Sequence, residues 1–182
     1  MARIPYFDRT LATGRAAKAF ERLPALNIFD MLGHSGELLD GFTKLGTQIL
    51  NFSSLDPVLR EIAIVRVGVL SKASYEVYQH ERISRRLGMS DELIAGIHAG
   101  PDGAVFTPLQ KQVMAFTDDV VANVRACDAT FEPLKTALGF KALQELTVTI
   151  GYYMLVSRFL ETFDVDIESG EPPKVTVSGM PN

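Results

Sequence analysis

Apolar and polar residues along this chain follow the period of α-helices over most of its length. Over residues 37–52, apolar side chains recur at three- and four-residue spacing and so share one helical face. Residues 58–70 are apolar on nearly every side, and Asp56-Pro57 gives them an N-cap followed by proline at the first helical position. Their β-branched residues favour a strand, but the run is long for a strand and no neighbouring run could pair with it. We therefore predict a central, buried helix here.

Further helices are predicted over residues 10–23, 27–32, 74–87, 107–125, 128–138 and 140–164, and a short one follows the Ser90 cap. Since no segment offers paired strands, the fold class is all-α, a bundle of about seven to nine helices. The break at residues 100–106 separates two halves that cannot bury their apolar faces alone, so we expect one domain over residues 1–182. Its tail, residues 166–182, is expected to lie along a neighbour or to be mobile.

Composition narrows the class of protein. Of 182 residues, 47% are apolar and 22% are charged, which is typical of a globular chain that needs no disulfide or metal to fold. The net charge of −4, with no basic block, argues against a nucleic acid or an anionic membrane as partner. Without a signal-peptide-like or membrane-spanning apolar run, the protein is expected to be soluble and cytoplasmic.

A histidine and several acidic or phenolic residues fall on the predicted apolar helices. His80 lies on the stripe that should face inward, and Glu76 precedes it by four residues on the same side. Glu61 lies on the preceding helix, so a tight hairpin makes it an antiparallel neighbour of His80. Tyr75 and Tyr78 flank the same surface.

A carboxylate and an imidazole that converge in an apolar pocket are suited to proton transfer. Burial should raise the pKa of the Glu and lower that of the His, which brings both towards neutral pH. The alternative is structural: His80 as a hydrogen-bonded core residue, and Glu61 as the ion-pair partner of Arg60 or Arg66. His34 and His98 lie at helix ends, where capping or solvent exposure is the better interpretation.

Three stretches together resemble the carboxymuconolactone decarboxylase family. They are residues 55–67 (LDPVLREIAIVRV) with Glu61, residues 74–80 (SYEVYQH) with His80 nineteen positions later, and residues 87–94 (LGMSDELI) with a Gly-x-Ser turn. The resemblance covers residues 50–98 sharply and the second helical half, residues 107–165, more weakly. It implies an alkylhydroperoxidase-D-like fold of helical hairpins that assembles into trimers or hexamers, with pockets near subunit interfaces.

Two chemistries occur in that family. Alkylhydroperoxidase-D-like members carry Cys-x-x-Cys just before the His, but the matching positions here are Ala73 and Glu76. The single cysteine, Cys127, is far along the chain and has no resolving partner, so thiol peroxidase chemistry is not expected. The other branch resembles the decarboxylase, which converts a carboxylated muconolactone to an enol-lactone in aromatic degradation and needs no cofactor.

By this resemblance the candidate catalytic residues are Glu61, His80 and Tyr75. His80 would give or take the proton, Glu61 would orient it or act as base, and Tyr75 would hold a carboxylate or a developing oxyanion. The candidate substrate-binding residues are Arg66, as the cation for an anionic substrate, together with Glu76 and Tyr78.

The leading hypothesis is a cofactor-independent lyase acting on a small carboxylated lactone or cyclic acid. The alternatives are an antioxidant peroxidase and a non-catalytic helical oligomer that binds a small acid. The chain is longer than the decarboxylase proper, so the resemblance predicts the fold better than the substrate.

Overall fold

The computed structural model describes residues 1–170 and 173–180, and within them the chain is helical without strands, as predicted. In these residues a 3₁₀ helix at Arg9–Leu11 precedes eight α-helices: α1 (Gly14–Phe20), α2 (Asn27–Leu32), α3 (Gly36–Phe52), α4 (Pro57–Leu70), α5 (Ser74–Arg86), α6 (Asp91–Ala99), α7 (Pro108–Asn123) and α8 (Asp128–Phe163).

Helix α4 is the centre of the bundle and packs against α5, α7 and α8. It begins as the sequence predicts, because the Asp56 side chain accepts hydrogen bonds from the amides of Val58 and Leu59 and Pro57 takes the first turn. Residues 59–68 are all buried. Burial on every side therefore outweighs the strand preference of the β-branched residues, and the run is helical.

The α4–α5 hairpin brings the two helices of the predicted site together. Only Ser71, Lys72 and Ala73 connect them, and Lys72 adopts a left-handed φ of 56° that reverses the chain. Helix α5 then ends in front of Gly88, whose φ of +86° fits the predicted stop. The short connection keeps α4 and α5 antiparallel and side by side.

Two helices differ in detail from the prediction. The helix predicted over residues 10–23 is broken, because Thr13 is extended and Gly14 has a φ of 55°, so a 3₁₀ turn and the short α1 replace it. Helix α8 is interrupted at Gly139, with φ 70° and ψ 176°, where the sequence predicts the end of one helix and the start of another.

The C-terminal segment is the main correction to the fold. Residues 173–180 pack on this chain's own helices: Val177 is 3% exposed, and the Ser178 amide donates to the carbonyl of Leu50 in α3. Long-range hydrogen bonds and burial, which periodicity cannot reveal, hold the segment that we expected to lie along a neighbour or to be mobile. Residues 171–172 and 181–182 of the predicted tail lie outside the described residues.

Among residues 1–170 and 173–180, no helix combines the length and apolar content needed to cross a bilayer.

Candidate active site

His80 lies at the centre of the site, between two carboxyl groups. Its Nδ1 is 2.6 Å from Oε2 of Glu61 on α4, and its Nε2 is 3.1 Å from Oε1 of Glu76 one turn back on α5. The first contact is a hydrogen bond, whereas the second is a close ionic contact in which Glu76 Oε1 accepts no aligned hydrogen bond. The edge of the ring meets the ring of Tyr153 on α8 at a centroid distance of 4.8 Å. All four side chains are buried.

The electrostatics of this cluster differ from the expectation. Burial alone lowers the pKa of His80, but the neighbouring Glu61 and Glu76 outweigh it and the pKa is raised, not lowered. Burial raises the pKa of Glu76 to about 7, partly opposed by attraction to His80. The carboxyl group that burial brings to neutral pH is therefore that of Glu76, which the sequence assigned to substrate binding.

Glu61 is held from behind by a buried cation. Arg60, which is 0% exposed, donates from Nε to Oε1 of Glu61 at 3.2 Å, while Oε2 of Glu61 faces His80. The pairing of Glu61 with Arg60 was one sequence alternative, but here it lies in the core instead of at a surface. Arg60 and His80 thus share one carboxylate.

A cavity of about 530 Å³ opens onto His80 and Glu76. Its described walls come from α2, α3, α5, α8, the segment between α1 and α2, and the C-terminal segment, and most of the lining side chains are apolar. The apolar and aromatic members are Leu23, Pro24, Leu26, Ile28, Phe29, Phe42, Leu50, Tyr75, Ile83, Tyr152, Tyr153, Val156 and Val175. Glu61 is not among the described lining residues, so it acts on the cavity through His80.

Tyr75 lines the cavity, but its hydroxyl is already engaged. It donates to Oε1 of Glu168, whose other oxygen accepts from Nε2 of Gln79 at 2.5 Å. Glu168 Oε1 also accepts from the backbone amide of Asn27 at the start of α2, at 2.8 Å. Burial and the bond to Glu168 raise the pKa of Tyr75. In this conformation the hydroxyl that was predicted to hold an oxyanion is bound to Glu168, which follows α8 and also accepts from the start of α2.

Arg66 and Tyr78 are not brought to the cavity. Arg66 points to the other side of α4, where Nε and Nη2 bind the carboxylate of Asp118 at 2.6 and 2.8 Å and Nη1 donates to the carbonyl of Ile97. The alternative pairing of Arg66 with Glu61 is therefore not the one seen. Tyr78 is half-buried, and the guanidinium carbon of Arg82 lies 5.6 Å from its ring centre.

Other residues supply the polar groups of the cavity that the sequence did not predict. Arg22 and Lys174 are the basic residues among its described lining, and Arg22 is one of several basic side chains in an adjoining surface depression with Arg15, Lys18 and Lys44. Tyr153 lies against His80, and its pKa is raised well above the ordinary value by burial. These residues come from helices and loops far from α4 and α5 in sequence, so no local pattern places them at the site. For Tyr153 alone there was a signal, because it lies on the apolar stripe of α8.

The thiol is far from this chemistry. Cys127 is exposed at the start of α8, where its amide and the Thr130 hydroxyl both donate to Asp119. It is not among the described residues that line the cavity. Ala73, at the first position of the Cys-x-x-Cys pattern, is buried beside the hairpin.

Chemically, the cluster can hold and pass one proton at the wall of a mostly apolar cavity. The total charge of Arg60, Glu61, His80 and Glu76 is the same whether the proton sits on His80 or on Glu76. Transfer from a charged His80 to Glu76 converts an ion pair into two neutral groups, so the attraction that is lost is offset by the relief of two buried charges. Both groups face the cavity, so either can meet a bound molecule.

Comparison with known proteins supports the family and the fold. Residues 36–119, which contain Glu61, His80 and Glu76, match the model of the carboxymuconolactone decarboxylase family. No curated protein sequence matches the chain.

Several solved structures share its architecture. One is an uncharacterized peroxidase-related protein with an alkylhydroperoxidase AhpD core from Ralstonia eutropha JMP134, with a TM-score of 0.77 at 18% identity over 92% of each chain. Another is a protein of unknown function from Agrobacterium tumefaciens described as a putative antioxidant defence protein AhpD, with a TM-score of 0.71 at 21% identity over 75% of this chain and 94% of that one. A cysteine-to-alanine variant of the debrominase Bmp8 in complex with 2,3,4-tribromopyrrole has a TM-score of 0.71 at 16% identity, over 84% of this chain and 81% of its own.

The resemblance predicted from the sequence is thus confirmed at the level of family and fold. Residues 36–119 match the model of the carboxymuconolactone decarboxylase family, and the chain that carries them has the AhpD-like fold.

Proposed function

We propose that the cavity binds a small carboxylated lactone or cyclic acid and that the Glu61–His80–Glu76 cluster moves a proton during its decarboxylation. One observation carries the proposal: His80 and Glu76 are in contact, both face the cavity, and burial raises the pKa of Glu76 to about 7. A group that titrates near neutral pH is the kind that general acid–base catalysis requires.

The walls of the cavity suit such a substrate. A volume of about 530 Å³ is within the range of small-molecule sites, and apolar and aromatic side chains would contact a ring. Arg22 and Lys174 offer cations to a carboxylate, the role that the sequence gave to Arg66.

The proposed step balances as follows. The bond between the ring carbon and the carboxylate carbon breaks, and CO₂ leaves. The electron pair of that bond passes into the conjugated lactone system as an enolate, and His80 or Glu76 then delivers one proton to carbon. Glu61 holds the imidazole through Nδ1 at 2.6 Å, which leaves Nε2 directed towards Glu76 and the cavity. The donor regains its proton from water before the next turnover.

His80→Gln tests this function. The variant keeps a polar side chain but cannot exchange a proton near neutral pH, so CO₂ release from an accepted carboxylated lactone should fall by about 10²-fold or more. The matched control is His98→Gln, because His98 is exposed and pairs with Glu81 away from the cavity. An unchanged rate in His80→Gln contradicts the mechanism. Binding of lactone acids without CO₂ release from any of them supports the non-catalytic binder instead.

The peroxidase alternative makes a different demand. It needs a thiolate beside the proton-transfer pair, and the described structure places Cys127 at an exposed site off the cavity. The two comparison structures described as AhpD-related favour this alternative by fold alone. A thioredoxin- or lipoyl-coupled peroxide assay distinguishes the peroxidase from the lyase. If the chain turns over peroxide and Cys127→Ser does not, the peroxidase function replaces the lyase proposal.

A further inference from the structure

Residues 173–180, which we call the C-terminal strap, touch the site at two places. Lys174, Val175 and Thr176 form part of the cavity wall. Further along, the Ser178 hydroxyl and amide both donate to the carbonyl of Leu50 in α3, at 2.8 and 3.1 Å. The strap therefore closes one side of the cavity and is fastened where it passes α3.

Ser178 also supplies partners to the most deeply buried cation of the site. Nη1 of Arg60 donates to Oγ of Ser178 at 3.0 Å, and Nη2 donates to its carbonyl at 3.4 Å. The third contact of Arg60 is the one from Nε to Glu61. A guanidinium that is completely buried is costly unless its donors are satisfied, so the strap provides much of what keeps Arg60 in place.

Arg60 in turn shares the carboxylate that orients His80. One oxygen of Glu61 accepts from Arg60 and the other contacts Nδ1 of His80, so a change at Arg60 alters the charge available to the imidazole. The path from the strap to the imidazole runs through three consecutive contacts, from Ser178 to Arg60, Glu61 and His80. Each of them is shorter than 3.3 Å.

We propose that Ser178 is a positioning residue of this site: from the strap it accepts two hydrogen bonds from Arg60 and limits the hold of Arg60 on Glu61, and so couples the seating of a cavity wall to the group that moves the proton. Its importance for catalysis depends on the proposed function, whereas the coupling to His80 does not. Residues 36–119, which match the family model, do not include the strap, so this device belongs to a part of the chain outside that match.

The titration of His80 measures the coupling without any substrate. The chain has three histidines, and His34 and His98 are exposed, so imidazole NMR signals can be assigned with single His→Gln variants. The charged or titratable groups facing His80 are Glu61 and Arg60 from α4, Glu76 from α5 and Tyr153 from α8.

In Ser178→Ala, Arg60 loses a partner and turns its freed donors to the Glu61 carboxylate, which weakens the pull of that carboxylate on His80. This change should lower the raised pKa of His80 towards its ordinary value near 6.5, by about half a unit or more. Ser178→Thr, which keeps the hydroxyl, should restore most of the shift. Ser169→Ala, an exposed serine before the strap, is the matched control and should change nothing.

Gly179→Ala gives a second test that leaves Ser178 intact. Gly179 has a φ of +91°, and a Cβ there would lie 2.5 Å from Cγ of Pro57, so the variant should push the strap off α4 and lower the pKa of His80 in the same direction. If the pKa of His80 in both Ser178→Ala and Gly179→Ala equals that of the unmodified chain, the coupling does not exist. If that pKa falls but His80→Gln leaves turnover unchanged, the coupling stands and the proposed function fails.

Discussion

At the scale of single residues, Glu76 gives the site a second acidic group on the cavity side of His80. Glu61, the carboxylate predicted to work with His80, lies behind the imidazole and is anchored by Arg60. Glu76 instead faces the cavity, and no aligned hydrogen bond reaches its Oε1. The two carboxylates thus have separate tasks: one holds the ring, and the other is available for proton exchange.

Replacement of Glu76 tests this division through stability. Burial raises the pKa of Glu76 from 4.5 to about 7, so the folded chain binds a proton that the unfolded chain releases, and stability falls as pH rises between these values. Glu76→Gln removes that loss. We compare the unfolding free energy of the variant with that of the unmodified chain at pH 4.5 and at pH 9. From the lower to the higher pH, the difference should shift in favour of the variant by up to about 3 kcal/mol.

Urea denaturation at the two pH values measures the gain. Glu161→Gln, at an exposed position of α8, is the control and should show no such difference. An equal effect of Glu76→Gln at both pH values would mean that Glu76 titrates like an exposed carboxyl.

The sequence predicted the part of the site that depends on local geometry. Glu76 and His80 meet because residues four apart share a helical face, and Glu61 joins them because the hairpin is short. The structure does not bring Arg66 and Tyr78 to this surface, because their positions on α4 and α5 turn them away from the cavity. The hydroxyl of Tyr75 was beyond prediction because its partner, Glu168, is 93 residues away.

At the scale of elements, the packing of α3 against α8 shapes one wall of the cavity. The hydroxyl of Tyr152 reaches across and donates to the carbonyl of Phe42 at 3.0 Å. Gly46 makes room for it, because a Cβ on Gly46 would lie 2.7 Å from the Tyr152 hydroxyl oxygen. The absence of a side chain at one position of α3 thus sets where an aromatic wall residue of α8 sits.

Gly46→Ala should therefore destabilise the protein by about 1–3 kcal/mol and displace Tyr152, which narrows the cavity. Gly41→Ala is the matched control on the same helix, because no atom lies within 4 Å of its added Cβ. That control should be neutral or stabilise by up to about 1 kcal/mol, since alanine favours the helix. Thermal unfolding of the two variants compares them directly. Equal melting temperatures would show that Tyr152 can move away from the added methyl group without loss of stability.

Helices with strong caps were the most predictable elements. Ser90 accepts a hydrogen bond from the amide of Leu93, and Thr107 forms a reciprocal capping box with Gln110 in which each side chain bonds the other backbone. The C-terminal strap lacks any such local signal. Its position depends on Leu50 and Arg60, more than a hundred residues away, so no pattern along the chain could reveal it.

At the scale of the whole molecule, self-association stays a prediction from the sequence. Leu38, Leu45 and Phe52 recur every seven residues along α3 and are exposed, and Val148 of α8 shares a surface groove with the last two. If a second copy covers this surface, sedimentation should give a molecular mass above the 20.0 kDa of one chain. Phe52→Glu should then reduce the molecular mass to that of the monomer, whereas Leu11→Glu, at an exposed site outside α3, should not. A monomeric unmodified chain at micromolar concentration would contradict the prediction.

The distribution of charge adds to this picture. The chain carries a net charge of −4, yet one depression that adjoins the cavity is lined by four basic residues, Arg15, Lys18, Arg22 and Lys44, together with Glu21 and Asp40. Asp40 accepts from Lys44 at 2.7 Å and lies 3.6 Å from Arg22, so part of this charge is compensated. The remaining positive charge favours the approach of an anion to this depression.

The equal number of cationic and anionic groups around the imidazole has a thermodynamic consequence. Arg60 and a charged His80 balance Glu61 and Glu76, so an anion that enters the cavity brings a further negative charge towards Glu76, which Arg22 and Lys174 offset in part. The carboxyl group responds by binding hydrogen ion more tightly. Uptake of a hydrogen ion from the buffer then accompanies ligand association above neutrality, and affinity weakens as the solution becomes more alkaline.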